Sequence, residues 1–465
     1  MSIKLLNSQF KKNIFYSISA QLVSLLVAFI VNLVVPKFID TTNYGYWQTF
    51  VLYSGYVGIL HFGLLDGLML RYSQYNYEDI DKAKLSSQFK ILLCILTVCV
   101  SVGLLFSHFI SNEIKSRVVL LVSMSILSKN FFTYVSYSFQ LTNRIHLYTR
   151  LIVLHRVIYL LLITLFLVFG YRNFYLICIA EIASEIFSSI ICSAWNRGMY
   201  FSKSEEIYRE FSEFRLNISS GIALLVANWA SMLLIGSARM IIQWRWNVET
   251  FALFSFAISV TNLFFTFITS ISIVLFPSLK RLDTKELPRL YLKLRVILSV
   301  FLLWCMILYY PISYILGLWL PTYIMSLKYL GLILPIIVYT SKVTLLTNNY
   351  LKTYRKESQI LKINGISLIV ALFGFIIGAY ILNEVILVII AMLIATIFRS
   401  IISEYEVSKI FNSFRVEDFL MEILLTIVFL ISTQTMSLSK GFALYAIVLL
   451  PYSIYVLKNK FSSIR

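Results

Sequence analysis

Apolar residues in this chain fall into continuous blocks of roughly 18 to 25, broken by short polar segments, and not into the alternation of half-buried strands. That block length fits an α-helix crossing a hydrocarbon core about 30 Å thick. About fourteen blocks are predicted to be spans, centred near residues 24, 58, 100, 126, 160, 184, 229, 264, 303, 336, 371, 393, 428 and 449. The least regular are the fourth (123–140, rich in polar residues), the tenth and the thirteenth. A β-barrel would need shorter, alternating segments. The expected fold class is an all-α polytopic membrane protein.

Composition agrees with the pattern. The chain is 59% hydrophobic and 13% charged, against about 25% charged in a soluble globular domain. A net charge of +18 would suggest nucleic acid in a soluble chain. In a membrane protein it marks Lys and Arg retained on the cytoplasmic side, and no nucleic-acid partner is expected. With the N-terminus placed in the cytoplasm, the predicted cytoplasmic segments hold roughly 28 of the 40 basic residues. The clearest are 197–215, 280–295 and 352–362. Both termini are therefore expected in the cytoplasm. The first run follows Lys4, Lys11 and Lys12 and continues to Pro36 with no small-residue cleavage site, so it reads as an uncleaved helix.

The longest loop, 196–215, follows the sixth run and reads as a linker. It divides the chain into a six-helix bundle (1–200), a cytoplasmic linker (201–216), a second six-helix bundle (217–410) and two additional helices (411–465). A faint repeat supports the division: NIFYSISAQL begins span one at Asn13, and NISSGIALLV begins span seven at Asn217. Six spans is an even number, so the halves would be parallel repeats.

Polar residues within the spans carry the functional signal. Span one places Asn13, Ser17, Gln21, Ser24 and Asn32 on one face. Span seven repeats this with Asn217, Ser220, Asn228 and Ser231, and span eight with Ser255, Ser259, Asn262, Thr266 and Ser270. Such stripes face other helices or a wet cavity. Charges are rarer. Lys129 lies in span four, Glu181 and Glu185 one turn apart in span six, Lys342 in span ten and Arg399 in span twelve. An ionised group at mid-membrane costs about 2.5 to 3.5 kcal/mol and so needs a partner. Three readings are open: a structural ion pair such as Lys129 with a span-six glutamate, a cationic cavity for an anionic substrate, or a proton or sodium site at Glu181 and Glu185.

The stretch FGLLDGLMLRY (62–72) adds Asp66 and Arg71 at the cytoplasmic end of span two. Five residues turn an ideal helix through about 500°, so the two side chains are poor direct partners. Arg71 snorkels to the interface or receives phosphate at an inner mouth, with Asp66 orienting a cation. Gly63 and Gly67 allow close helix approach. Arg239 lies with Trp244, Arg245 and Trp246 at the outer end of span seven, as an aromatic belt or an outer sugar contact. The five cysteines lie in apolar runs without a CxxC pair, and the four histidines are scattered, so no metal site is expected.

The polar-faced first span, its exit PKFIDTTNYGYWQTF (36–50) and the ending GLLDGLMLRY (63–72) resemble Wzx-type O-antigen flippases. These form the polysaccharide-transporter branch of the multidrug/oligosaccharidyl-lipid/polysaccharide (MOP) flippase superfamily. The span count and the six-plus-six-plus-two division agree with that family along the whole chain. The resemblance implies movement of undecaprenyl-diphosphate-linked oligosaccharide repeat units from the cytoplasmic to the periplasmic leaflet of the bacterial inner membrane. It implies alternating access around a central cavity, and a polysaccharide polymerase and chain-length regulator as partners. Cations placed to meet the diphosphate are Arg71, Lys129, Arg239 and Lys342, with Asp66 beside them, and Glu181 and Glu185 are the ion-coupling candidates. No catalytic residue, cofactor or metal is expected. The alternatives are a cation-coupled drug antiporter of the same superfamily, a membrane-embedded polymerase or glycosyltransferase, and a lipid II flippase.

Overall fold

The computed structural model describes residues 3–202, 207–279, 286–411 and 416–461. Residues 203–206 of the expected linker, 280–285 of a basic segment and 412–415 lie outside the described residues. So do the side chains of Lys4, Lys11, Asn13 and Ser270.

Among the described residues there is no strand. The helices are α1 (Ile3–Phe38), α2 (Thr41–Ser54), α3 (Leu64–Tyr72), α4 (Lys82–His108), α5 (Glu113–Leu141), α6 (Ile145–Val168), α7 (Phe174–Ser193), α8 (Gly198–Phe201) and α9 (Ile207–Arg245). They continue as α10 (Val248–Leu279), α11 (Leu287–Met306), α12 (Tyr309–Trp319), α13 (Ile324–Lys342), α14 (Asn348–Thr353), α15 (Glu357–Ile376), α16 (Val385–Phe411), α17 (Val416–Thr435) and α18 (Leu438–Tyr455). Side-chain caps start several of them. Asp40, Asp81 and Asn112 each accept a bond from the backbone N–H three residues on, meeting donors a helix start leaves unpaired.

Among the described residues, twelve helical stretches are long and apolar enough to cross a membrane, α11 joining α12 in one and α13 joining α14 in another, and a thirteenth span is a bent pair, Thr41–His61 with Leu64–Tyr72. This polytopic helical fold is the expected class, with a smaller count than fourteen. Two predicted runs account for the difference. Span two bends by 54°, because Phe62 and Gly63 both take left-handed backbone (φ 52° and 84°). Gly63 tolerates that conformation without cost, and its N–H donates to His61 Nδ1 at 3.1 Å. The thirteenth run is α17, which lies outside the twelve and carries Glu417, Asp418 and Glu422 in its first two turns.

The chain divides into two compact units, Met1–Trp229 and Ala230–Arg465, with the division inside α9. In the first unit α5 packs against α4 and α7, and α6 against α1 and α7. The helix α4 shows why the pattern suits lipid: Val98, Val102 and Leu105, on one face, are exposed, while Leu85, Leu92 and Leu96 are buried. In the second unit α13 is central, packed against α10, α16, α11, α12 and α17. Of its most apolar window, in Pro321–Thr353, 94% is buried, so this helix meets protein on every side.

Candidate functional site

In the first unit three helices bring charge into the interior. The helix α5 supplies Ser128 and Lys129, α7 supplies Glu181 and Glu185, and α6 supplies His155. Glu185 is buried; Ser128 Oγ donates to its Oε2 at 2.6 Å, and Lys129 Nζ lies 4.0 Å from its Oε1. Lys129 also donates to Ser54 Oγ of α2 at 3.3 Å. One ligand atom each from His155, Glu181 and Glu185 lie within 4.8 Å of one another. Buried His155 stacks on Tyr159, and its Nε2 has no hydrogen-bond partner among the described residues.

Lys129, Glu181 and Glu185 are thus drawn into one cluster. His155 corrects the reading of four scattered histidines. No sequence signal links it to α7, because the contact joins residues about 26 and 30 positions away on a separate helix. Two carboxylates one turn apart repel each other unless a cation or proton lies between them. Here Lys129 offsets one of the two charges, and the histidine nitrogen faces the pair. The cluster can hold a proton or a small cation.

Arg71 is ion-paired and stays partly exposed. Its Nη2 lies 2.8 Å from Glu213 Oε1, and its Nη1 donates to Asn217 Oδ1 at 2.5 Å. Tyr72 donates to the same carboxylate at 2.6 Å. Asn217 in turn donates to Gln88 Oε1 at 3.3 Å, and Gln88 donates to the Glu210 carbonyl at 3.2 Å. The first turns of α9 are therefore held against α3 and α4. Glycines make the approach possible. A Cβ at Gly67 would fall 1.8 Å from the Asn217 carbonyl oxygen, and one at Gly221 would fall 2.0 Å from that of Gly63. Asp66 is buried, and among the described residues no ion pair joins it to Arg71.

The second unit holds a larger buried network. Arg295 of α11 binds Glu404 of α16 through two bonds of 3.2 Å and also pairs with Asp418 of α17. Lys342 of α13 lies 3.1 Å from Glu404 and 2.6 Å from Glu422 of α17. Ser299 donates to the other oxygen of Glu422 at 2.7 Å. Two cations thus meet three carboxylates, and four helices are cross-linked. Lys342, expected as a substrate cation, has its charge met by two glutamates. The acidic start of α17, which weakens its apolar signal, is met by Arg295 and Lys342. Elsewhere in this unit, the Arg239 guanidinium lies 5.9 Å from the Phe251 ring centre, and Arg245 Nε donates to the Ala379 carbonyl at 3.2 Å.

No protein-family profile matches the chain, and no curated protein matches it. Solved structures do. The lipid II flippase MurJ in an inward closed conformation aligns over 97% of this chain and 99% of its own, at 15% identity and a TM-score of 0.69. An inward-facing multidrug resistance transporter of the MATE family aligns over 86% of this chain and 100% of its own, at 13% identity and a TM-score of 0.57. A MOP superfamily transporter from Pyrococcus furiosus aligns over 86% and 95%, at 12% identity and a TM-score of 0.52. The chain shares its fold with these transporters. At these identities the likeness is one of fold.

Proposed function

We propose that this protein is a lipid-linked oligosaccharide flippase of the bacterial inner membrane. It moves undecaprenyl-diphosphate-linked O-antigen or polysaccharide repeat units from the cytoplasmic to the periplasmic leaflet by alternating access. The observation that carries this reading is fold coverage. The alignment with a lipid-carrying flippase runs nearly end to end, whereas those with multidrug transporters reach less of the chain and score lower. The organisation we assign is two six-helix bundles, 1–200 and 217–410, with 411–465 added, and both termini cytoplasmic. Among the sequence candidates we assign the cargo's charge to Lys129, Arg71 and Arg239, with Asp66 as a buried companion. Lys342, met by Glu404 and Glu422, we assign to the fold.

The cluster of Glu181, Glu185 and His155 supports a coupling-cation site beside Lys129. It also favours a second reading, a cation-coupled antiporter, because that reading needs a buried acidic site. Two results separate them. Lys129→Met is expected to abolish export of surface polysaccharide at unchanged protein level; normal export would remove Lys129 from the cargo path. Glu181→Gln and Glu185→Gln are expected to uncouple transport from the proton or sodium gradient, and an unchanged gradient dependence would leave the cluster a structural pair.

Deleting the gene tests the reading as a whole. Surface polymer should be lost, with single lipid-linked repeat units accumulating on the cytoplasmic leaflet. Intact polymer with altered drug sensitivity would favour the antiporter, and lethality with peptidoglycan precursor accumulation would make lipid II the cargo.

A further inference from the structure

Among the described residues, three Lys or Arg side chains are buried below a tenth exposure: Arg295, Lys342 and Arg399. Arg295 and Lys342 have carboxylates, as above. Among the described residues Arg399 has none within 4 Å. Its Nη2 donates to Ser231 Oγ of α9 at 2.9 Å, and its Nε has no partner among the described residues. It lies near the middle of α16, fourteen residues from Val385 and twelve from Phe411. Its exposure is 3%.

An arginine cannot shed its charge, and a buried uncompensated charge is among the most expensive features a protein carries. A guanidinium offers five N–H donors in a planar fork, and a neutral hydroxyl takes one of them here. Methionine or leucine would fill the position at lower cost, as replacement of buried ion pairs shows. The helices α13, which packs on α16, and α10, which packs on α13, carry further buried hydroxyls, at Thr340, Ser341 and Ser255, that have no partner among the described residues.

We propose that Arg399 is an anion-binding residue of the second unit, and that its ligand is a diphosphate. This rests on the flippase reading, in which the cargo's charged group must cross the membrane interior. A planar fork matches phosphate oxygens in pairs, which a lysine at the same place would not do. In the sequence Arg399 and Lys342 look alike, each a single basic residue within a span. The distinction is the presence or absence of a counter-charge, and that is a property of the fold.

The test is binding, read separately from transport. The full chain in nanodiscs is titrated with undecaprenyl diphosphate, undecaprenol and inorganic pyrophosphate, and occupancy is followed by native mass spectrometry. Wild type should bind undecaprenyl diphosphate better than undecaprenol. R399Q should raise its Kd roughly tenfold to a hundredfold, the scale of a lost charge-assisted pair of bonds. R399K, which keeps the charge and loses the fork, should fall between and guards against a folding defect in R399Q. A parallel loss of pyrophosphate binding would identify the free anion as a ligand of the same site. Equal undecaprenyl diphosphate affinity in wild type and R399Q would overturn the assignment while leaving the flippase reading intact. Absence of diphosphate binding in wild type would also overturn it, and the gene deletion then decides the wider reading on its own.

Discussion

Replacing Lys342 by methionine should cost about 3 to 5 kcal/mol, the scale for breaking a buried ion pair by removing one partner. Lys342 is 1% exposed and touches both Glu404 and Glu422. Its removal leaves three buried carboxylates facing Arg295 alone. The loss should appear as a large fall in thermal midpoint and in the yield of folded protein in detergent. The double variant Lys342→Met with Glu422→Gln should recover much of it, because one surplus charge goes with the lysine. If Lys342→Met proved as stable as wild type yet failed to export, the lysine would serve the cargo and its assignment to the fold would be wrong.

Gly67→Val and Gly221→Val should be nearly as damaging, through a different cause. Each new Cβ would meet backbone, not a side chain able to swing away. Overpacking in a well-packed interior costs about 1 to 3 kcal/mol, and a backbone collision leaves less room for relief. To relieve it, α3 must separate from the start of α9, which breaks the Arg71 contacts with Glu213 and Asn217. Export should fall below detection in both variants. Gly365→Ala is the control, since a Cβ there meets nothing within 4 Å. Wild-type export in Gly67→Val would show that the close approach is dispensable.

The legible part of this molecule is what the bilayer dictates. A span must be long, apolar and helical, so hydropathy locates thirteen of the runs by composition. The irregular ones are informative. The fourth run looked weak because of its serines and Asn130, yet it forms α5, where Ser125 donates to the Val122 carbonyl and Asn130 to those of Ile126 and Val57. Polar side chains there are satisfied locally or by a neighbouring helix, which hydropathy does not register. The partners of the charges were not legible. Arg71 meets Asn217 across 146 residues, and Lys342 meets Glu422 across 80. Such pairings depend on which helix faces which, and no local pattern encodes that. The glycine spacing in GLLDGL pointed to a close helix contact, while the helix it meets emerged only from the fold.

The measurement closest to the central claim is leaflet transfer in a defined membrane. Purified protein is reconstituted into liposomes carrying a fluorescent undecaprenyl-diphosphate-linked oligosaccharide, and the fraction protected from an impermeant quencher is followed over time. The account predicts transfer that requires the protein and is lost in Lys129→Met. Liposomes with folded wild-type protein, matching repeat units and an imposed cation gradient that show no transfer above protein-free controls would contradict it.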